Sequence, residues 1–286
     1  MKIAILPNPY CDKQFRCAKN VFTILQENGA EVSMCLPFGI TLESDPPEWM
    51  TLEDRETALS GADVMICLGG DGTILHAAKV SLERNLPILG INIGTLGFMA
   101  ELEAGDLTLL ANLCRGDYRL ETRMLLDVTV LSGGKTVFSD FGLNDAVISK
   151  GAISRELHVT ARSNGTDLLS YSGDGIIVST PTGSTAYSFS AGGPIVEPTT
   201  QSIILTPICA HAQNANSMVL DPSREIAIYA DKSGRRNAFL SVDGGRGYRL
   251  DSGDIVKICR ADKSIELVRL NHRNFFETIH KKFYNR

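Results

Sequence analysis

Residues 64–78 read Val-Met-Ile-Cys-Leu-Gly-Gly-Asp-Gly-Thr-Ile-Leu-His-Ala-Ala. Val64 to Leu68 is a continuous apolar run of strand length, the pattern of a strand buried on both faces. It breaks at Gly69-Gly70-Asp71-Gly72, and from Thr73 the apolar positions Ile74, Leu75, Ala78 and Leu82 repeat at helical spacing. A strand, a glycine turn and a helix N-terminus make an anion cradle, because glycines let backbone N–H groups approach a ligand and the helix end carries positive partial charge. Asp71 is out of place there unless it has a task. Accepting a proton from an attacking hydroxyl is one such task, and helping to hold Mg²⁺ is another. The plain alternative is that Asp71 or Thr73 caps the helix.

Two better-known phosphate motifs are excluded. A dinucleotide fingerprint needs G-x-G-x-x-G, and Leu75 stands at the last glycine's place. Gly134-Lys135-Thr136 has the tail of a P-loop, but Thr129 occupies the first glycine's position and Gly133-Gly134 reads as a hairpin turn.

Composition narrows the class. At 286 residues the chain has room for two domains, and 43% hydrophobic residues suit a globular fold. A net charge of -5 argues against nucleic acid as a partner. Seven cysteines from Cys11 to Cys259 form no C-x-x-C pair and no metal-like cluster with the histidines, so no protein metal site is expected. That usage suits a reducing, cytoplasmic setting. No apolar run approaches the ~18 residues of a membrane span. The chain opens directly on a strand, Lys2 to Leu6, which is not the pattern of a signal peptide.

Strands and helices alternate over residues 1–118. Lys2–Leu6 is followed by a helix carrying Phe15, Ala18, Phe22 and Leu25, then a strand Glu31–Leu36, a helix Thr51–Leu59, the glycine-turn unit, and a strand Ile88–Ile93. Asp106 is expected to cap a helix running to Cys114. This order predicts a parallel sheet, with ligands beyond the carboxyl ends of its strands. After Tyr118 the chain reads instead as short β-rich runs broken by turns, in residues 119–262 among them Met124–Leu131, Ala146–Ser149, Ile176–Ser179, Ser202–Ile208 and Ile255–Cys259, with Ile265–Leu270 continuing the series beyond. Such spacing predicts an antiparallel sandwich or barrel. Asn274 to Phe283 looks helical, so residues 263–286 are expected to return to the first domain.

Within the second domain, Ser172-Gly173-Asp174-Gly175 and the run Pro181 to Pro194 are dominated by small residues and hydroxyls, with one tyrosine. Such a surface lets a flat heterocycle lie close to backbone. A simple loop between strands has the same composition. Asn144-Asp145, taken alone, reads as a turn.

Taken together, the motifs resemble those of the bacterial NAD kinases. The blocks are Gly69-Gly70-Asp71-Gly72-Thr73, Gly90 to Phe98, Asn144-Asp145, Asp174-Gly175 with Thr180 to Ser188, Leu205 to Cys209 with His211, and Val242-Asp243-Gly244. The long Thr180–Ser188 block is the specific one, since lipid kinases and phosphofructokinases carry similar glycine-aspartate turns.

The resemblance implies an α/β, Rossmann-like N-terminal domain with a parallel sheet and an all-β sandwich C-terminal domain. It implies phosphoryl transfer from ATP, another triphosphate or polyphosphate, with Mg²⁺ or another divalent cation, to the 2′-hydroxyl of the adenosine ribose of NAD. On that resemblance Asp71 matches the proton acceptor and Gly72 its neighbour in the turn. Asn144 and Asp145 match the ribose-holding pair. Asp174, Thr185, Ala186, Tyr187, Ser188 and Ser190 match positions around the nicotinamide and adenine, and Arg155 a commonly basic position near the ligand. Family members are usually homodimers or homotetramers whose NAD site a neighbouring subunit completes.

The chain departs from the family in three places. Asp145 stands where Glu is commoner, Gly245 replaces a side-chain amide, and Asn216-Ser217 replace an Arg-Pro. A lipid or sugar kinase using the same turn is the competing enzyme, and a non-catalytic dinucleotide sensor is the competing binder. The first should show an interfacial apolar segment, and none is visible. The second has no need of Asp71.

Overall fold

The computed structural model describes residues 1–151, 156–211, 215–231, 238–271 and 275–284. It divides into two compact units, Met1–Thr122 with Ile265–Arg286, and Arg123–Ser264.

The first unit is built on β1 (Lys2–Pro7), β2 (Glu31–Met34), β3 (Val64–Gly69) and β4 (Ile88–Asn92), with a short β5 (Leu102–Glu103). The order is β2-β1-β3-β4 and every pairing is parallel, β5 joining β4 and Leu267 of the last strand pairing with Ile88. Every residue of β3 and β4 is buried, and since successive side chains point to opposite faces, both faces of the sheet are covered there. Helix α1 (Arg16–Glu27) buries Ala18, Val21 and Leu25 in the core that holds Ile3, Ile66 and Leu89. Helix α2 covers only Arg55–Leu59, shorter than the expected 51–59, because Asp54 accepts the Thr57 amide and so fixes the start. Helix α3 (Asp71–Arg84) follows the glycine turn directly, and α4 (Leu110–Cys114) follows a single 3₁₀ turn. Asp106 does not cap that turn; its carboxylate accepts the Glu103 amide instead.

The second unit holds two antiparallel sheets. One is ordered β13-β12-β11-β8-β15-β16, from β8 (Asp145–Lys150), β11 (Gly175–Ser179), β12 (Ile203–Ile208), β13 (Met218–Leu220), β15 (Ala238–Val242) and β16 (Tyr248–Leu250). The other contains β9 (Leu157–Ser163), β10 (Thr166–Gly173), β14 (Ile226–Asp231) and the long β17 (Ile255–Arg269), ordered β10-β9-β14-β17. β6 (Arg119–Ser132) and β7 (Lys135–Gly142) form a hairpin closed at Gly133-Gly134, both with positive φ. Leu126, Ile148, Val159, Ile176, Leu205, Ile228 and Val256 share one core between the sheets, which makes the unit a sandwich.

One expected pair of strands is a single strand. Asp262, Lys263 and Ser264 break the apolar pattern between Ile255–Cys259 and Ile265–Leu270, but they are exposed and extended, so β17 runs straight through. The C-terminal helix α6 spans Phe275–Ile279 and continues as a π-turn; the expected first residue, Asn274, lies outside the described residues.

Candidate active site

The turn after β3 is fixed before any ligand enters. A Cβ on Gly69 would run into the Thr73 side chain, and Thr73 Oγ1 accepts from Asn8 Nδ2 at 3.1 Å. Gly70 is the N-cap residue of α3 and makes no side-chain cap bond, so neither Asp71 nor Thr73 caps the helix as the plain alternative supposed. Asp71 points elsewhere. Its Oδ2 accepts the Phe98 amide at 2.9 Å and its Oδ1 the Met99 amide at 3.0 Å. Gly97 is required by this packing, since a Cβ there would collide with the same carboxylate.

Gly70 and Gly72 face open space. They line a cavity of about 600 Å³ with Asn8, Cys11, Phe38, Thr73 and His76, and Asp71 is not among its lining residues. The turn therefore presents its glycines to the cavity while its carboxylate turns to the 97–99 strap. At the end of β4, Asn92 pairs in register with Gly69, and its Oδ1 is buried with no hydrogen-bond partner among the described residues.

In the second unit, Asn144-Asp145 leads into β8. Asp243 holds this segment from β15: Oδ2 accepts the Leu143 amide at 2.8 Å, and Oδ1 accepts those of Asn144 at 2.7 Å and Asp145 at 3.0 Å. The Asp145 carbonyl accepts the Asp243 amide in return. Asp145 is buried, and its carboxyl is pushed up to about 7, first by desolvation and then by the Asp243 charge.

The Thr180–Ser188 run packs onto that segment. The Asn144 carbonyl accepts the Thr180 amide, Thr180 Oγ1 donates to the Leu143 carbonyl at 2.5 Å, and a Cβ on Gly183 would run into the Asn144 carbonyl. Buried Arg123 donates to Thr182 Oγ1 at 3.1 Å. Thr182–Thr185 forms a 3₁₀ turn and Tyr187–Ser190 a short helix, α5. Thr185 and Ala186 are partly exposed, and Tyr187 and Ser190 exposed, beside this turn. Ser188 is fully buried and its hydroxyl is bonded to Thr206 Oγ1 at 2.8 Å, so it braces α5 and faces no solvent.

Asp174 lies apart from that group. Asp145 pairs with Ser179 and Ser149 with Gly175, which puts Asp174, five residues from Ser179, about 17 Å along the strands from Asp145. Its Oδ1 is paired with Lys150 Nζ at 2.5 Å. Arg155 lies outside the described residues. Among the described residues no group of three His, Cys, Asp or Glu could hold a metal ion.

Asp243 and Gly97-Phe98 stood inside quoted motifs without a role, and Met99 lay just outside one. Asp243-Gly244 after an apolar strand reads as a local turn, and both residues do take positive φ. The contacts that matter reach residues 98 to 100 positions upstream, which no local signal encodes.

Comparison with known proteins agrees with this arrangement. Residues 3–118 match the family model of the ATP-NAD kinase N-terminal domain, and residues 143–270 that of the ATP-NAD kinase C-terminal domain. The chain is similar to the NAD kinase of Acetivibrio thermocellus, 39% identical over 287 residues, covering 100% of this chain and 98% of that one. Among solved structures it is similar to yeast NADH kinase complexed with NADH, with a TM-score of 0.84 and 25% identity over 100% of this chain and 88% of that one. It is also similar to an NAD kinase from Archaeoglobus fulgidus in complex with ATP, with a TM-score of 0.74 and 25% identity over 99% and 98% of the two chains. Both halves of the family are matched in order and a relative is similar along its whole length, so the chain belongs to the ATP-NAD kinase family.

Proposed function

We propose that Asp71 is the base of this NAD kinase, taking the proton of the ribose 2′-hydroxyl of NAD as the terminal phosphoryl group of ATP is transferred and NADP forms. The observation that carries the assignment is the orientation of Asp71. A capping aspartate would bind its own helix, whereas this carboxylate is held off it by two backbone amides. Fixing the base in one rotamer before substrate binds is what proton transfer to a weak nucleophile's partner requires. The glycines of the same turn and the start of α3 suit the donor's phosphates, and the neighbouring cavity has the volume for a nucleotide.

Asn144 and Asp145 hold ribose hydroxyls, with Gly72 as Asp71's neighbour in the turn. Thr185, Ala186, Tyr187 and Ser190 border the bases, Ser188 supports them from beneath, and Arg155 is a basic neighbour of the ligand. Asp174 serves the nicotinamide and adenine, and the chain's membership of a family of homodimers and homotetramers supports the same assembly here.

Mg²⁺ fits this chain only in company with phosphate. A cage of protein groups is missing among the described residues, but Mg²⁺ usually takes one or two carboxylates, phosphate oxygens and waters. Phosphate oxygens would ligate the ion directly, with the buried Asn92 Oδ1 accepting from one of its bound waters. The ion would neutralise the phosphates.

Polyphosphate remains a second donor to be tried. Seven free cysteines suit a cytoplasmic enzyme, and no described helix is long and apolar enough to cross a membrane. The test is NADP formation from NAD and Mg²⁺ with ATP, other triphosphates and polyphosphate in turn. Phosphorylation of diacylglycerol or fructose 6-phosphate without NADP would refute the reading.

A further inference from the structure

The strap Gly97-Phe98-Met99 that holds Asp71 is itself held by the C-terminal end of the chain. Two separate contacts do this, and both lie within the first unit.

The first is ionic and buried. Arg269, at the end of β17, donates through Nη1 to the Met99 carbonyl at 3.1 Å, so the residue whose amide binds Asp71 is gripped at its other polar atom. The same Nη1 reaches Glu101 Oε2 at 3.1 Å, while Nη2 and Nε reach Glu121 Oε1 at 2.9 and 3.2 Å. Glu101 Oε1 accepts the amides of Leu270 and Asn271, each at 2.7 Å. Arg269 and Glu101 are 9% and 4% exposed. Burying such a set costs heavy desolvation and adds little net stability over an apolar core, but its fork geometry fixes position tightly.

The second contact is aromatic. The ring of Phe98, whose amide binds the other oxygen of Asp71, lies with its centroid 6.2 Å from that of Phe275 and 5.8 Å from that of Phe283. Lys282 Nζ stands 4.2 Å from the Phe98 ring centre. Each oxygen of the carboxylate is therefore placed by one strap residue, and each strap residue by the C-terminal segment.

We propose that Arg269, Phe275 and Phe283 are positioning residues for Asp71, and that the C-terminal segment sets turnover by setting the strap. None of them touches a reacting atom in this scheme; they act through Phe98 and Met99. The inference rests on the assignment of Asp71 as the base. It makes the last two dozen residues part of the kinase machinery, where a return of the chain to its first unit would otherwise serve only packing.

The experiment compares Arg269→Lys and Phe275→Leu in the full-length protein, each alone and in an Asp71→Asn background. Arg269→Lys keeps the buried positive charge while losing the fork, and Phe275→Leu keeps an apolar contact while losing the ring. The readouts are kcat and KM for NAD and ATP, and hydrogen exchange at the Phe98 and Met99 amides. Arg269→Lys should lower kcat by about 10- to 100-fold. Phe275→Leu should lower it several-fold, and both should leave the KM values within about threefold. The two amides should exchange faster in both variants. Neither change should lower kcat much further once Asp71 is Asn, because residues acting through one group are not additive. An equal fractional loss in both backgrounds would overturn the proposal, since that is the mark of general damage. Unchanged exchange, or faster exchange with unchanged kcat, would also overturn it. A wild-type protein that makes no NADP would instead remove the kinase reading and the Asp71 assignment beneath this one.

Discussion

Asp243 and Asn144, 99 positions apart in the chain, are joined by a hydrogen bond of 2.7 Å from the Asn144 amide to the Asp243 carboxylate. Because the same carboxylate also takes the amides of Leu143 and Asp145, one side chain fixes the whole segment that carries Asn144 and Asp145, the pair we propose for the ribose hydroxyls. Asp243→Asn keeps the shape and tolerates the positive φ, but replaces one acceptor oxygen with a donor facing an amide. Leaving that amide unpaired should cost about 1–3 kcal/mol. Thermal unfolding should show the loss, and KM for NAD should rise about tenfold with kcat much less affected. Unaltered KM would show that the clamp has no bearing on substrate.

The same pair makes a statement about pH. With its carboxyl raised to about 7 by burial and then by Asp243, Asp145 in the folded chain holds a proton that the unfolded chain has released. The native state therefore binds more protons between about pH 4 and 7, and stability falls as pH rises through that window. Asp145→Asn should remove this slope and be the more stable form at pH 8, by an amount on the order of a few kcal/mol. A carboxylate is the better acceptor for ribose hydroxyls, so wild-type KM for NAD should fall as pH rises through about 7. Denaturant unfolding at pH 5 and pH 8 decides the first part: equal slopes for wild type and variant would contradict it.

Gly97 gives a steric test of the strap. Its missing Cβ is where the Asp71 carboxylate lies, so Gly97→Ala must displace either the carboxylate or the backbone. Displacement on the scale of 1 Å should lower kcat by about 100-fold. Gly105→Ala is the matched control, since a Cβ there meets nothing within 4 Å. Similar kcat values for the two variants would show that the contact does not matter.

The assembly is checked by light scattering under assay conditions. A homo-oligomer should give two or four times the 31.0 kDa of one chain. An active species of one chain's mass would exclude a site shared between copies.

The sequence carried much of this because its main signals are local. An apolar run cut by Gly69 marks β3, the apolar spacing after Gly72 marks α3, and Gly133-Gly134, both with positive φ, marks the β6–β7 turn. Exposed polar residues 262–264 misled the reading of β17: three in a row put both faces of the strand in water there, yet the backbone stays extended through them. The short strands Met218–Leu220 and Tyr248–Leu250 carry no alternation long enough to read. The partners of Asp71, Asp145 and Met99 come from 27, 98 and 170 positions away, and only folding reveals them.

The central claim is that Asp71 takes the proton, and NADP formation by Asp71→Asn tests it most directly. An asparagine cannot accept that proton, so turnover should fall by about 10²–10⁴-fold while calorimetric affinity for NAD stays within a few-fold. Turnover within about threefold of wild type, at unchanged affinity, would contradict the account.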